Sequence, residues 1–196
     1  QWRAQRERED QQLHQQRQAQ YRVQRDQRDR FDRYRRDSLE RNRRQAQLRY
    51  YGRYWDHVRA DQLRLDSWRY AYSPYSYRYY RGGTYYYANQ YAADLLRRAL
   101  NYGYEEGVRA GQSDREDNWQ YGYHDSYAYQ DATFGYDGYY VSLDEYRYYF
   151  REGFRRGYED GYYSRWQYGS YSNGVINLLA NVFAEILRLQ VLDAID

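Results

Sequence analysis

Residues 102–111 read Tyr-Gly-Tyr-Glu-Glu-Gly-Val-Arg-Ala-Gly, and residues 152–161 read Glu-Gly-Phe-Arg-Arg-Gly-Tyr-Glu-Asp-Gly. Each stretch places three glycines four residues apart: Gly103, Gly107 and Gly111, then Gly153, Gly157 and Gly161. On a helix that spacing sets all three on one stripe. A glycine inside a helix is less stable than alanine by about 1 kcal/mol. Six of them need compensation, and close approach of two backbones supplies it, with large flat side chains filling the groove. The reading is an all-α fold: a long N-terminal charged helix, a body of two glycine-zipper helices, and a C-terminal amphipathic helix, joined by Tyr/Gly-rich loops.

The two stretches belong to a tandem repeat. A shift of fifty positions superposes Asp94 on Asp144, Arg97 on Arg147, Tyr104 on Phe154, and each glycine on its counterpart. The unit boundaries fall at residues 84–131 and 132–173. Each unit reads as a helix followed by a Tyr/Gly/Asp loop. Ser142 with Glu145 has the form of a capping box, which starts the second helix near Leu143. Gly135 and Gly138 punctuate the loop before it.

Upstream, residues 1–50 are a different material, rich in Arg and Gln and without Gly or Pro. Opposite charges recur four apart in the favourable order: Asp26–Arg30, Asp29–Arg33, Asp32–Arg36 and Glu40–Arg44. This predicts one long solvated helix that alone is marginal. It is either a frayed basic arm or a helix that lies on something, above all on another copy. Arg25, Arg28, Arg33, Arg36, Phe31 and Tyr34 are the candidate assembly residues of this arm. In residues 51–83, Gly52 is read as a break, with a short helix resuming over 54–72 around Trp55, Val58, Leu63, Leu65 and Trp68. The only proline, Pro74, opens a Tyr/Ser stretch that runs to Gly82-Gly83 and reads as a linker lying against a surface.

Downstream, residues 174–196 turn aliphatic. Charged and amide side chains interrupt the run, so no membrane span is predicted. A helix with a wide apolar face through Leu179, Val182, Phe183 and Ile186 fits, packed on the repeat helices or on a neighbouring subunit.

Composition narrows the chemistry. The 196 residues hold 32 Tyr but no Cys, no Met and no Lys. Disulfides and thiolate metal sites are excluded. Leu, Ile, Val and Phe make up only about 15% of the chain, so tyrosine must provide the burial, each hydroxyl needing a partner. Arg stacks on aromatic faces and forks onto carboxylates, which predicts a wet core of Arg, Tyr and carboxylates. Residues 1–49 carry fifteen Arg against eight carboxylates, and the rest sixteen against twenty. A basic arm and an acidic body complement each other within one molecule or head-to-tail between molecules, and the latter contact propagates.

Residues 102–163 resemble a set of uncharacterised secreted bacterial proteins with tandem glycine-spaced helices. The resemblance rests on the first glycine triplet with Asp114, on Gln130-Asp131-Ala132, and on Gly135-Tyr136-Asp137-Gly138-Tyr139. It continues through Tyr146-Arg147 and Phe150-Arg151-Glu152-Gly153-Phe154 to Gly157-Tyr158-Glu159-Asp160-Gly161-Tyr162. It implies export and no established activity. A chain opening on Gln1-Trp2 suits a mature N-terminus after signal removal.

No catalytic, cofactor-binding or metal site is read. His14, His57 and His124 lie in different segments without ligand spacing or a nucleophile motif. Asp131, Asp137, Asp144 and Glu145 could gather around calcium, but EF-hand spacing is missing. The expectation is a non-enzymatic, extracellular structural protein that forms a filament or homopolymer with itself as partner. The alternative is a polyanion-binding module, because Arg interleaved with aromatics suits phosphate contact and stacking.

Overall fold

A computed structural model describes residues 2–65 and 71–192. The chain is mostly helical, 65% helix and 11% strand, and the strand content corrects the all-α reading. In order come α1 (Trp2–Arg41), α2 (Gln45–Leu65), β1 (Tyr77–Arg81), β2 (Thr84–Ala88) and α3 (Gln90–Glu116). A 3-10 turn (Tyr123–Asp125) follows, then α4 (Tyr127–Asp131), α5 (Leu143–Tyr163), β3 (Gly169–Ser172), β4 (Val175–Leu178), α6 (Ala180–Leu187) and β5 (Gln190–Val191).

The centre is the α3–α5 pair. A Cβ built on Gly103 falls on the carbonyl oxygen of Phe150, on Gly107 it meets Phe154, and on Gly111 it meets Tyr158. Reciprocally, Gly153 sits on the Leu100 carbonyl, Gly157 on Tyr104 and Gly161 on Val108. Contacts ascend both helices together, so α3 and α5 run parallel. The fifty-residue shift exchanges each contact for its counterpart: Gly103 on Phe150 becomes Gly153 on Leu100. The tandem repeat is thus a pseudo-dyad along the helix pair, and all six glycines face one another inside one chain. At each, the hydrogen in place of a Cβ points at an opposing carbonyl, a weak but repeated interaction.

Both helices are started by side chains. Asn89 Oδ1 accepts from the Ala92 amide at 2.8 Å, and Ser142 Oγ accepts from the Glu145 amide at 3.2 Å. The Glu145 carboxylate does not close the box; it takes Arg81 Nη2 at 2.6 Å. Along α5, Tyr146, Phe150, Phe154, Tyr158 and Tyr162 stack ring on ring at successive turns, with centroids 6.0–6.4 Å apart.

Buried hydroxyls find carboxylates. Tyr104 donates to Asp160 at 2.7 Å and Tyr158 to Asp114 at 2.5 Å. In the repeat frame these are the same contact, tyrosine to an aspartate six positions on, made once in each direction and one turn apart. Tyr50 donates to Glu106 at 3.0 Å and Tyr54 to Asp131 at 2.6 Å.

Three sequence expectations change. Gly52 does not break the helix; α2 runs through it, and the chain breaks at residues 42–44 instead, where Arg43 has φ 57°. Trp68, read as part of that helix, lies outside the described residues. The supposed linker contains a β-hairpin. The supposed single helix over 174–195 is a strand, a short helix and a strand, because Val175–Leu178 alternates exposed and buried after an Asn173-Gly174 turn. α6 then ends at Arg188, which is left-handed. Val182 and Leu187 are buried, and Leu179, Phe183 and Ile186 pack against the same core rather than on a neighbour.

Candidate functional site

The Gly82-Gly83 turn sets the geometry of the β1–β2 hairpin. Both glycines have positive φ, 57° and 87°, as a two-residue hairpin turn of the I′ kind requires. Such a turn makes Arg81 and Thr84 a hydrogen-bonded pair. Antiparallel alternation then makes Tyr79–Tyr86 and Tyr77–Ala88 bonded pairs and Tyr80–Tyr85 and Arg78–Tyr87 non-bonded ones. The N–H and C=O groups of Tyr85 and Tyr87 therefore point away from β1. Strand order is β2-β1-β5, so β2 is a free edge.

Among the described residues nothing pairs with that edge, and the strand itself carries no charge and no proline. The hairpin is held firmly beneath: Tyr79 is buried against Tyr149 at 6.1 Å, and Arg81 pairs with Glu145. On the outer face Tyr80, Tyr85 and Tyr87 are exposed, with Tyr80 and Tyr85 rings 5.0 Å apart and Arg78 lying 4.9 Å over Tyr85.

The arm lies on the body of its own chain. Arg17 is 1% exposed, with Tyr139 at 5.1 Å and the Asp137 carbonyl accepting from it at 3.2 Å. The Arg17 side chain fills the space over Gly138. Arg28 stacks over Trp55 at 4.5 Å, and Arg36 holds Asp32, which also accepts from Tyr51 at 2.7 Å. Burial raises the Asp32 pKa, but the Tyr51 hydroxyl and Arg36 outweigh it and leave the carboxyl below its usual value. Burial, and then the hydrogen bond to the Asp32 carboxylate, pushes the Tyr51 phenol up to about 12. Arg25, Arg33, Phe31 and Tyr34 are exposed. Of the four expected intrahelical pairs only Asp32–Arg36 forms. Asp26 and Asp29 pair with their neighbours Arg25 and Arg28, and Arg44 leaves Glu40 for Asp114 at 2.5 Å.

The α1–α2 corner is capped in trans of sequence: Asp117 accepts both the Ala46 and Gln47 amides at 2.8 Å, closing the N-terminus of α2 from the end of α3. Arg44 also stacks 4.5 Å over Trp119.

Among the described residues no group of three His, Asp or Glu could hold a metal ion. The proposed calcium cluster is dispersed by other bonds: Asp131 takes Tyr54 and Thr133, Asp137 takes the Tyr139 amide, and Glu145 takes Arg81. His57 Nδ1 lies 3.7 Å from Glu106, which raises its pKa. His124 packs on Tyr123 and Tyr129 at the surface, and the His14 side chain is outside the described set. Among the described residues no helix is long and apolar enough to cross a membrane.

Sequence reasoning passed over the hairpin edge. Its signal was present: two glycines between tyrosine runs of strand length. Comparison with family models finds no match, and comparisons with curated proteins and with solved structures find none either.

Proposed function

We propose that this chain is an extracellular structural subunit that associates with copies of itself through the open edge of β2. The observation that carries the reading is the outward N–H and C=O groups of Tyr85 and Tyr87, which pair with no strand among the described residues. The six glycines are occupied within the chain, and one side of the arm lies on its own body, while Arg25, Phe31, Arg33 and Tyr34 stay exposed on its other side. Export is taken from the likeness to secreted glycine-repeat proteins.

The pairing has a defined register. Two β2 strands meeting antiparallel across a dyad bond Tyr85 to the partner's Tyr87 in both directions, with Tyr86 facing its own copy as a non-bonded pair. The sheet doubles, and the exposed tyrosines become one aromatic platform. The charged residues of the hairpin, Arg78 and Arg81, sit on β1. Across the new sheet they are about 14 Å from their copies at three strand spacings, beyond the screening length at physiological salt. This edge contact closes a dimer, and a polymer requires a second joint.

The test is sedimentation velocity of the whole chain over a range of concentrations. Tyr85→Pro removes one outward N–H and leaves the β1–β2 ladder intact, so it should lower the association constant at least tenfold. Association unchanged in Tyr85→Pro, or a wild-type chain that stays monomeric at high concentration, overturns the reading.

A further inference from the structure

Between α1 and α4 lies a cleft of about 400 Å3. Arg28, Arg30, Arg35 and Arg147 line it, and Asp131 is its one lining carboxylate. That carboxylate is already engaged, since one of its oxygens accepts from Tyr54 and Thr133. Arg28 is matched by Asp29 at 2.8 Å. Arg35 gives a nitrogen to the Gln130 amide oxygen at 2.9 Å and lies 3.9 Å over Tyr127. Arg147 uses Nε on the Asp131 carbonyl at 2.9 Å, which fixes its plane and leaves its two terminal nitrogens for another acceptor. Arg30 stands exposed at the lip. Burial holds the Arg35 guanidinium below its usual pKa, against the pull of Asp131 and Asp32.

We propose that this cleft binds an acidic saccharide, its carboxylate or sulfate groups held by Arg30, Arg35 and Arg147. Planar guanidinium forks match such oxyanions bidentately. Gln24 and Gln27 supply the amide donors and acceptors that sugar hydroxyls require, while the Gln130 amide is already held by Arg35 and the His124 carbonyl. The volume suits one or two sugar rings. A nucleic acid fits less well. Arg35 and Trp55 (at 4.8 Å) already pack on Tyr127, leaving Phe31 as the only open ring in the cleft, whereas single strands are held by runs of stacked bases. The site is independent of association through β2.

Isothermal titration of the whole chain tests it, using a galacturonate oligosaccharide, a sulfated disaccharide, the methyl ester of the galacturonate, and a single-stranded oligonucleotide. The acidic sugars should bind at least tenfold more tightly than the ester. Arg30→Gln and Arg147→Gln should each weaken that binding at least fivefold. Arg41→Gln, an exposed arginine at the far end of α1, should leave it unchanged. Arg30 is exposed, and no hydrogen bond or ion pair holds it among the described residues, so its variant reports on binding even if Arg147→Gln perturbs α4. Whichever acidic sugar binds more tightly separates carboxylate from sulfate as the source. Equal binding of acid and ester, equal losses in Arg41→Gln and Arg30→Gln, tighter binding of the oligonucleotide, or no binding at all would overturn the proposal.

Discussion

Gly157 lies against the carbonyl of Tyr104, so close that a side-chain carbon at 157 would overlap the oxygen. The atom in the way is backbone inside a helix and cannot rotate aside. Gly157→Ala should therefore destabilise the fold by about 3 kcal/mol or more, although alanine is the better helix former. Gly107→Ala, its counterpart on α3, should behave alike. Gly52 is the control, because a Cβ there meets nothing within 4 Å. Gly52→Ala should stabilise by roughly 0.5–1 kcal/mol. Urea unfolding of the three variants measures all of this.

Asp160 gathers three donors: the Tyr104 hydroxyl and the amides of Gln167 and Tyr168, at 2.7–3.0 Å. It ties the loop after α5 back onto the helix pair. Tyr104→Phe removes one donor and should destabilise by about 1–2 kcal/mol. Asp160→Ala leaves a buried hydroxyl and two amides unpaired and should destabilise at least twice as much. Thermal unfolding of the pair would show the order.

The arm has a natural cut point. Removing residues 1–41 takes away α1 and leaves Arg44, Ala46 and Gln47 in place on Asp114 and Asp117. The remaining body should keep its helical circular dichroism and a single cooperative transition. Removing residues 1–49 also deletes Arg44 and strands the buried Asp114 carboxylate, a loss of about 3–5 kcal/mol for a broken buried pair. The second truncation should unfold at markedly lower urea.

The two glycine stripes were legible because a four-residue repeat of the smallest side chain has few other physical meanings, while the parallel direction of the pair shows only in the contacts. The fifty-residue shift even encodes the dyad: Gly103 and Gly153 occupy equivalent places. The hairpin was hidden because tyrosine serves helix and strand alike here. Tyr79 and Tyr86 alternate on a strand, while Tyr146 and Tyr158 stack along a helix. The tail was misread for a related reason. Val175 to Leu187 is apolar enough for a helical face, and the Asn173-Gly174 turn that makes its first part a strand is only two residues long. The docking side of the arm was illegible, since Arg17 and Arg28 are buried by partners more than 25 residues away in sequence, Asp137 and Trp55.

Asp137 sits 1% exposed under the arm. Burial pushes its carboxyl up to about 6, against the pull of the Tyr139 amide, Arg98 on α3 and Arg17 on α1. The folded chain thus holds this proton more tightly than the unfolded chain does. Stability from this group is fully present below about pH 4 and falls as pH rises towards 6, by about 2–3 kcal/mol in all. The loss continues through 6 and levels off above about pH 7. In Asp137→Asn that component is absent, so the difference in unfolding free energy between wild type and variant should change across about pH 4–7 and level off above that.

The proposed joining of copies edge to edge at β2 can be read directly with a single cysteine, because the chain has none of its own. A cysteine at Tyr86 would face its copy across the dyad at a separation of about 4.5 Å between Cα atoms, within reach of a disulfide. Under mild oxidation the Tyr86→Cys chain should become a disulfide dimer, while Tyr171→Cys, on the exposed strand β3, should remain monomeric. A Tyr86→Cys chain that stays monomeric, or a Tyr171→Cys chain that crosslinks as fast, would contradict the account.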